Sequence, residues 1–221
     1  PGIVDLILRD AGDEPGALPL LSHALLETWL RRRGRVLTLQ AYAETGGVHG
    51  AIARTAEAVY HHRLTPEQQP LMRSILLRLT ELGDEGLDTR RRATLQELAS
   101  SPAAQAQVQH VLAILSDARL VTVDQDTVEI AHEALIRAWP TLRQWLADDR
   151  EGLRLHRRLT EAAQAWEELG RNPDELYGGA RLALAREWAE SHPTDLNALE
   201  AQFLAASVEL AERRQREQAA Q

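Results

Sequence analysis

Residues Val121–Trp139, VTVDQDTVEIAHEALIRAW, decide the fold. Two short β-branched runs, Leu120–Asp124 and Thr127–Ala131, flank a tight polar turn at Gln125–Asp126 and read as a β-hairpin. The rest of the chain carries no comparable β signal. A helix precedes the hairpin, and the second strand runs out into His132–Glu133, where the chain turns back into helix. A hairpin behind three helices is the plan of a winged helix. A histidine at a strand exit is also a place where chemistry can sit.

Working backward, Ser101–Pro102 starts a helix whose Val108, Val111, Leu112 and Leu115 form a clear 3.6-residue stripe. Before it, Thr94 and Glu97 have the spacing of a capping box for a short helix, TLQELA. The loop GDEGLDTRRR separates that helix from one bearing Leu71, Ile75, Leu79 and Leu82. This earlier helix starts near Thr65–Pro66 with Gln68, or one turn later because of Pro70. Three helices and a hairpin make residues 64–139 a winged-helix domain.

Residues 1–63 read as a helical bundle. IVDLILR (3–9) is the end of a helix, followed by a polar turn at Gly12–Gly16. In PGALPLLSHALLETWLRRR, Leu18, Leu21, Leu25 and Trp29, widened by Leu26 and Leu30, predict an amphipathic helix ending near Gly34. Leu37–Ala43 and Val48–His62 are two more helices, separated by Gly46–Gly47. Residues 140–221 read as a helical extension. Pro140 opens a long helix with Leu142, Trp145, Leu146, Leu153, Leu159 and Trp166 inward and a kink at Gly152, and Asn172–Pro173 ends it. Two further helices follow, and the tail ERRQREQAAQ, with no apolar stripe, is expected to fray or to lead into a downstream module. The fold class is therefore mainly α.

The 221 residues suffice for one or two domains with real cores. No apolar run is long enough to span a bilayer, and the start does not resemble a signal peptide. The absence of cysteine excludes disulfides and thiolate metal sites, which fits a cytoplasmic location. The start, PGIVDLILRD, lacks methionine and reads as the cut edge of a longer chain. All 25 basic residues are arginine. Without lysine the chain cannot contain a GxxxxGK[ST] phosphate-binding loop.

A net charge of −8 opposes general affinity for nucleic acid. The helix expected to enter the major groove, Ala103–Ala118, has no arginine, and Asp124 and Asp126 at the wing tip would repel phosphate. His132–Glu133 lacks the second histidine of HExxH, because Ile136 stands there, and His61–His62 read as a solvated helix end. No serine sits on a strained strand-to-helix turn, so no catalytic triad is visible. Arg90–Arg91–Arg92 is either a solvated charge run or an anchor for an acidic partner or a nucleotide phosphate through bidentate contact.

Gly16-Ala17-Leu18-Pro19-Leu20 resembles the GxP (GLPL) motif in the helical domain of NB-ARC-type ATPases. Ala131-His132-Glu133 resembles their MHD motif, in the family's order along the chain. DTRRR, AHEALIRAWPTLRQWL and LYGGARLALAREW are more specific, and resemble the bacterial novel STAND NTPases, signal-transduction ATPases often fused to WD repeats. The resemblance implies an upstream P-loop domain holding ADP or ATP. Leu18 and Pro19 would then meet the nucleotide, Pro19 against adenine, and His132 would contact the β-phosphate of ADP. A proline offers a base an apolar surface, and an imidazole N–H has the right reach for a phosphate oxygen. Glu133 replaces the family's aspartate and is one methylene longer, which alters any capping contact it makes. Ala17 fills the variable position of GxP.

The expectation is the regulatory portion of a STAND-type ATPase. It would couple the nucleotide state of its own P-loop domain to homo-oligomerisation and to a downstream sensor or effector module. Alone it would contain no catalytic residue, bind no nucleotide tightly, and engage neither nucleic acid nor membrane. The competing readings are a nucleotide-independent protein-interaction adaptor and a winged-helix DNA-binding regulator.

Overall fold

The computed structural model describes residues 2–12, 17–83, 87–99, 101 and 104–219. Gly16 of the GxP stretch, with most of the polar turn before it, lies outside the described residues, as do Pro102 and residues 84–86 of the GDEGLDTRRR loop. The described chain is mainly helical with short antiparallel strands, as the hydrophobic periodicity implies. It divides into two compact units, residues 1–93 with 109–147, and residues 94–108 with 148–221. Among the described residues no helix is long and apolar enough to cross a membrane.

In the first unit, α1 (Ile3–Ala11), α2 (Ala17–Leu30), α3 (Leu39–Thr45) and α4 (Gly47–Ala58) form a bundle, with α2 lying along α3 and α4. Thr38 caps α3 by accepting from the Ala41 N–H. The left-handed Gly46, at φ 84°, ends that helix and starts the next. A π-helical turn, Val59–Arg63, closes α4.

The helix expected at 15–33 forms, but its inward face is not the one the leucine stripe indicated. Leu18 is 78% exposed, and Trp29 and Leu30 are also exposed, whereas Leu20, His23, Ala24 and Thr28 are buried. This helix is apolar nearly all round, so periodicity alone could not phase it. The small Ala24 and Thr28 bring α2 close to its neighbours, and the Thr28 hydroxyl donates to its own helix at the Ala24 carbonyl, 2.7 Å away.

Next comes α5 (Gln69–Arg78), with Pro70 in its first turn and Met72, Ile75 and Leu76 buried. The helix expected to reach Leu82 stops at Arg78, and three short strands lie between its end and Thr94, one in the stretch read as helix and two in or just beyond the loop GDEGLDTRRR. β1 (Thr80–Glu81) pairs antiparallel with β2 (Thr89–Arg90), and β3 (Arg92–Thr94) follows. Strands of two or three residues carry no measurable alternation, and their pairing is set by tertiary context rather than propensity. β3 is an edge of a three-stranded sheet in the order β3-β5-β4, where β4 (Val121–Asp124) and β5 (Thr127–Ile130) are the expected hairpin. Its two-residue turn has Gln125 at φ 47°. The stripe Val108, Val111, Leu112 and Leu115 lies buried on α7 (Gln105–Asp117), as the spacing required.

α8 (Ala134–Ala138) and α9 (Pro140–Asp148) complete this unit. Its aromatic centre is Trp139, fully buried, edge-on to Trp145 at 5.2 Å, with Tyr60 of the π-turn at 5.3 Å from Trp145. The expected kink at Gly152 is instead a break at Asp149, whose backbone leaves the helical region at φ −143°. The Asp149 carboxylate caps the next helix, α10 (Arg150–Glu168), accepting from the Gly152 N–H at 2.9 Å. A Cβ at position 152 would collide with that carboxylate, which accounts for the glycine.

In the second unit α10 packs with α11 (Gly179–Ser191) and α12 (Ala198–Ala219) around Leu159, Trp166, Trp188 and Phe203. The short α6 (Leu95–Leu98) starts at Thr94, whose hydroxyl accepts from the Glu97 N–H at 3.1 Å. The Glu97 carboxylate, buried, accepts from Gln164. Of the two outcomes expected for the tail, fraying is not seen among the described residues: α12 stays helical through Ala219. Its last turns are wholly exposed and carry an Arg213–Glu209 pair at 2.9 Å.

Candidate functional site

Three elements of the first unit converge on a cavity of about 450 Å³. α2 contributes Pro19, Ser22 and His23, the last turn of α7 contributes Ser116, the turn after it Arg119, and the hairpin and its exit contribute Val121–Val123 with Ala131 and His132. Its size falls within the range of small-molecule sites. The two residues singled out from sequence, Pro19 and His132, therefore line one space.

The hairpin fixes His132. The Ala131 N–H donates to the Leu120 carbonyl at 3.0 Å, extending the ladder to the residue before the imidazole. The His132 carbonyl accepts from the Leu135 N–H at 2.9 Å and opens α8. Held at both ends by backbone bonds, the ring has little freedom beyond its own torsions. Burial lowers its pKa below the ordinary 6.5, and the nearby His23, Arg90 and Arg119 lower it further.

His23 sits one turn beyond Pro19 on α2 and is 3% exposed. Its Nε2 lies 3.0 Å from the Thr55 hydroxyl of α4, and its Nδ1, also buried, has no hydrogen-bond partner. The ring lies 6.4 Å from that of His132, centroid to centroid. Burial lowers the His23 pKa, Glu27 opposes that, and Arg119 adds to it.

The three arginines of the 90–92 cluster are tied into the fold. Arg90 reaches the Ile130 and Ala131 carbonyls at 3.4 and 3.5 Å and Glu129 at 3.8 Å, bracing the strand exit that carries His132. Arg91 donates to the Arg78 carbonyl at 2.6 Å. Arg92 pairs with Glu129 at 2.9 Å, which holds the Glu129 carboxyl below its ordinary range. Glu133 makes no side-chain cap on α8 and pairs with Arg137 at 2.7 Å. Leu18 is exposed to solvent and, unlike Pro19, does not line the cavity.

Sequence reasoning missed His23 and Arg119. The i, i+4 spacing from Pro19 could have found His23, since both fall on one helix face. Arg119 stands one position past the helix read at Ala103–Ala118 and belongs to no motif, so it carries no signal in sequence.

The family model of novel STAND NTPase 1 matches residues 1–174. The chain belongs to the novel STAND NTPase 1 family. The match runs from α1 through α10 into the turn that follows it, so the cavity of this STAND NTPase chain lies wholly inside the matched segment. No curated protein and no solved structure matches the chain. Membership makes this a STAND NTPase-type signalling protein, and the family supplies the expectation of an NTPase domain as partner and of oligomerisation.

Proposed function

We propose that these residues are the regulatory arm of a STAND-type ATPase, reading whether its P-loop domain holds ADP or ATP and passing that state to oligomerisation and effector output. The observation that carries the reading is the shared cavity: Pro19 and His132, far apart in sequence, line one opening. In this reading Pro19 packs on adenine, and the His132 imidazole donates to the β-phosphate. The order α5, β3, α6, α7, β4, β5 supports a winged helix, and His132 at its wing exit acts as its latch to the nucleotide. Loss of the phosphate contact frees that module to move. The segment itself does no hydrolysis, and Arg90 serves as a brace for the latch rather than as a ligand.

The test is His132→Ala in the longer protein that includes the P-loop domain. The variant is expected to lose bound ADP, measured by chromatography of the released nucleotide, and to shift toward an oligomer in light scattering. Unchanged ADP content and unchanged assembly would overturn the latch. The alternative of a nucleotide-independent adaptor has no observation in its favour comparable to the cavity.

A further inference from the structure

The cavity contains more anion-binding chemistry than a single latch histidine needs. Arg119 is the telling residue. It follows α7 at φ 57°, with its N–H on the Ser116 carbonyl at 2.9 Å and the Leu120 N–H on the Leu115 carbonyl at 2.9 Å. That pair of bonds is a Schellman motif, and Arg119 holds its left-handed position, where glycine is the usual occupant. Leu115 and Leu120, both fully buried, supply the apolar contact that accompanies the motif. An arginine is thus held in a backbone conformation that disfavours it. Arg119 is exposed, lines the cavity and makes no ion pair among the described residues.

His23 is the second anomaly. A buried imidazole nitrogen without a partner is costly, whichever tautomer is present. If Nε2 accepts from Thr55, Nδ1 carries an unused proton; if Nε2 donates, Nδ1 is an unused acceptor that a proton would convert to a donor. Facing charges come from Glu27 on its own helix, Arg119 after α7, His132 at the wing exit and Arg90 on β2. Burial first, and then positive groups that outnumber the one carboxylate, disfavour protonation of the two rings, and a bound anion would reverse the balance.

We infer that the diphosphate group is held between two imidazoles, His23 and His132, with Arg119 supplying the fixed positive charge, and that filling the site is coupled to proton uptake. The inference rests on the nucleotide reading above and extends it by two residues and by a pH linkage. Each imidazole donates one N–H to a phosphate oxygen, Arg119 adds a charge-assisted contact, and the bound diphosphate anion draws a proton from solvent onto the ring pair.

The experiment uses the longer protein that includes the P-loop domain, as in the test above, with inorganic pyrophosphate and, separately, ADP as probes, reading the imidazole signals of His23 and His132 in 1H–15N NMR. Pyrophosphate is expected to shift both rings and to raise the pH at which each titrates, a readout that needs no variant. His23→Gln and Arg119→Gln are each expected to weaken pyrophosphate binding about ten-fold or more, with Arg119→Lys restoring part of it. If both variants bind as the parent does while His132→Gln does not, this inference is overturned and the single-histidine latch survives. If pyrophosphate leaves both rings unmoved, the paired site is also overturned. Pro19→Ala separates the two readings from the other side. Weaker ADP binding with unchanged pyrophosphate binding supports a diphosphate held by the imidazoles with adenine on Pro19. Weaker pyrophosphate binding in that variant would count against the division of labour assumed here.

Discussion

The indole N–H of Trp139 donates to the carboxylate of Glu57, a residue 82 positions earlier in the chain. Thr141 donates to the same oxygen at 2.9 Å, and His61 pairs with the other oxygen at 2.9 Å. One side chain at the end of α4 thereby gathers partners from the π-turn, from Trp139 between α8 and α9, and from the first turn of α9. Trp139 is fully buried, so without Glu57 its N–H has no alternative partner in water.

Glu57→Ala is accordingly expected to destabilise the chain by about 1–3 kcal/mol, the cost of orphaning a buried donor. Urea unfolding of the two proteins checks this, and Glu57→Gln should recover part of the loss. Burial pushes the Glu57 pKa up, but the bonds from Trp139, Thr141 and His61 outweigh it and leave it below 4.5. The stabilisation it brings is therefore present above that value and disappears as pH falls through the folded pKa.

Tyr42 provides a linkage at the alkaline end. Its hydroxyl donates to Asp10 at 2.8 Å, and burial, that bond and the Asp10 charge push its pKa up to about 12. A folded-state pKa above the ordinary 10.0 means the folded chain holds the proton more tightly. The contribution is whole below pH 10.0 and is lost as pH rises toward about 12. Absorbance at the tyrosinate band should show a late step that Tyr42→Phe removes. That substitution should also cost about 1–3 kcal/mol near neutral pH.

The imidazole pair His23 and His132 has the opposite sense. His23 and His132 both have lowered pKa values, so below 6.5 the unfolded chain binds protons that the folded chain refuses. Stability should fall as pH drops from 6.5 toward their folded values. A series of thermal melts from pH 7 downward checks this, and His132→Asn should flatten the slope.

Glu200 is fully buried in the second unit. It accepts from the Thr160 hydroxyl at 2.6 Å, from the Asn197 N–H at 2.8 Å, and lies 3.2 Å from His156 Nε2. Asn197 Oδ1 accepts from the Glu200 N–H in return, so the start of α12 is a capping box set inside a core. Glu200→Ala strips several buried groups of their partner at once and should cost about 3–5 kcal/mol in chemical unfolding. Glu200→Gln, which keeps an acceptor, should cost less.

How much of this was legible in sequence differs from residue to residue. The hairpin was, because β-branched runs about a two-residue turn have few other solutions, and so was the α7 stripe, whose four apolar positions leave one face to bury. The inward side of α2 was not, because a helix with leucine on every side has no phase until its neighbours are known. β1, β2 and β3 were not, because two or three residues rich in threonine and arginine pair only where the fold presents an edge. The break at Asp149 shows a further limit: glycine marked the spot, but the capping carboxylate three residues earlier made the turn. At the cavity, the motif pair Pro19 and His132 was visible. Arg119 was not, since nothing in composition says that an arginine will stand where a helix calls for glycine.

That substitution sets local comfort against task. Exchanging Arg119 for glycine should relieve the left-handed backbone and make the protein harder to melt, by about 1 kcal/mol, while stripping the cavity of its permanent cation. A sturdier protein that grips diphosphate less well is the expected product, read by a thermal melt beside a pyrophosphate titration. If both properties moved the same way, the helix end would be a structural accident; if they diverge, rigidity and recognition are in direct competition at this one residue.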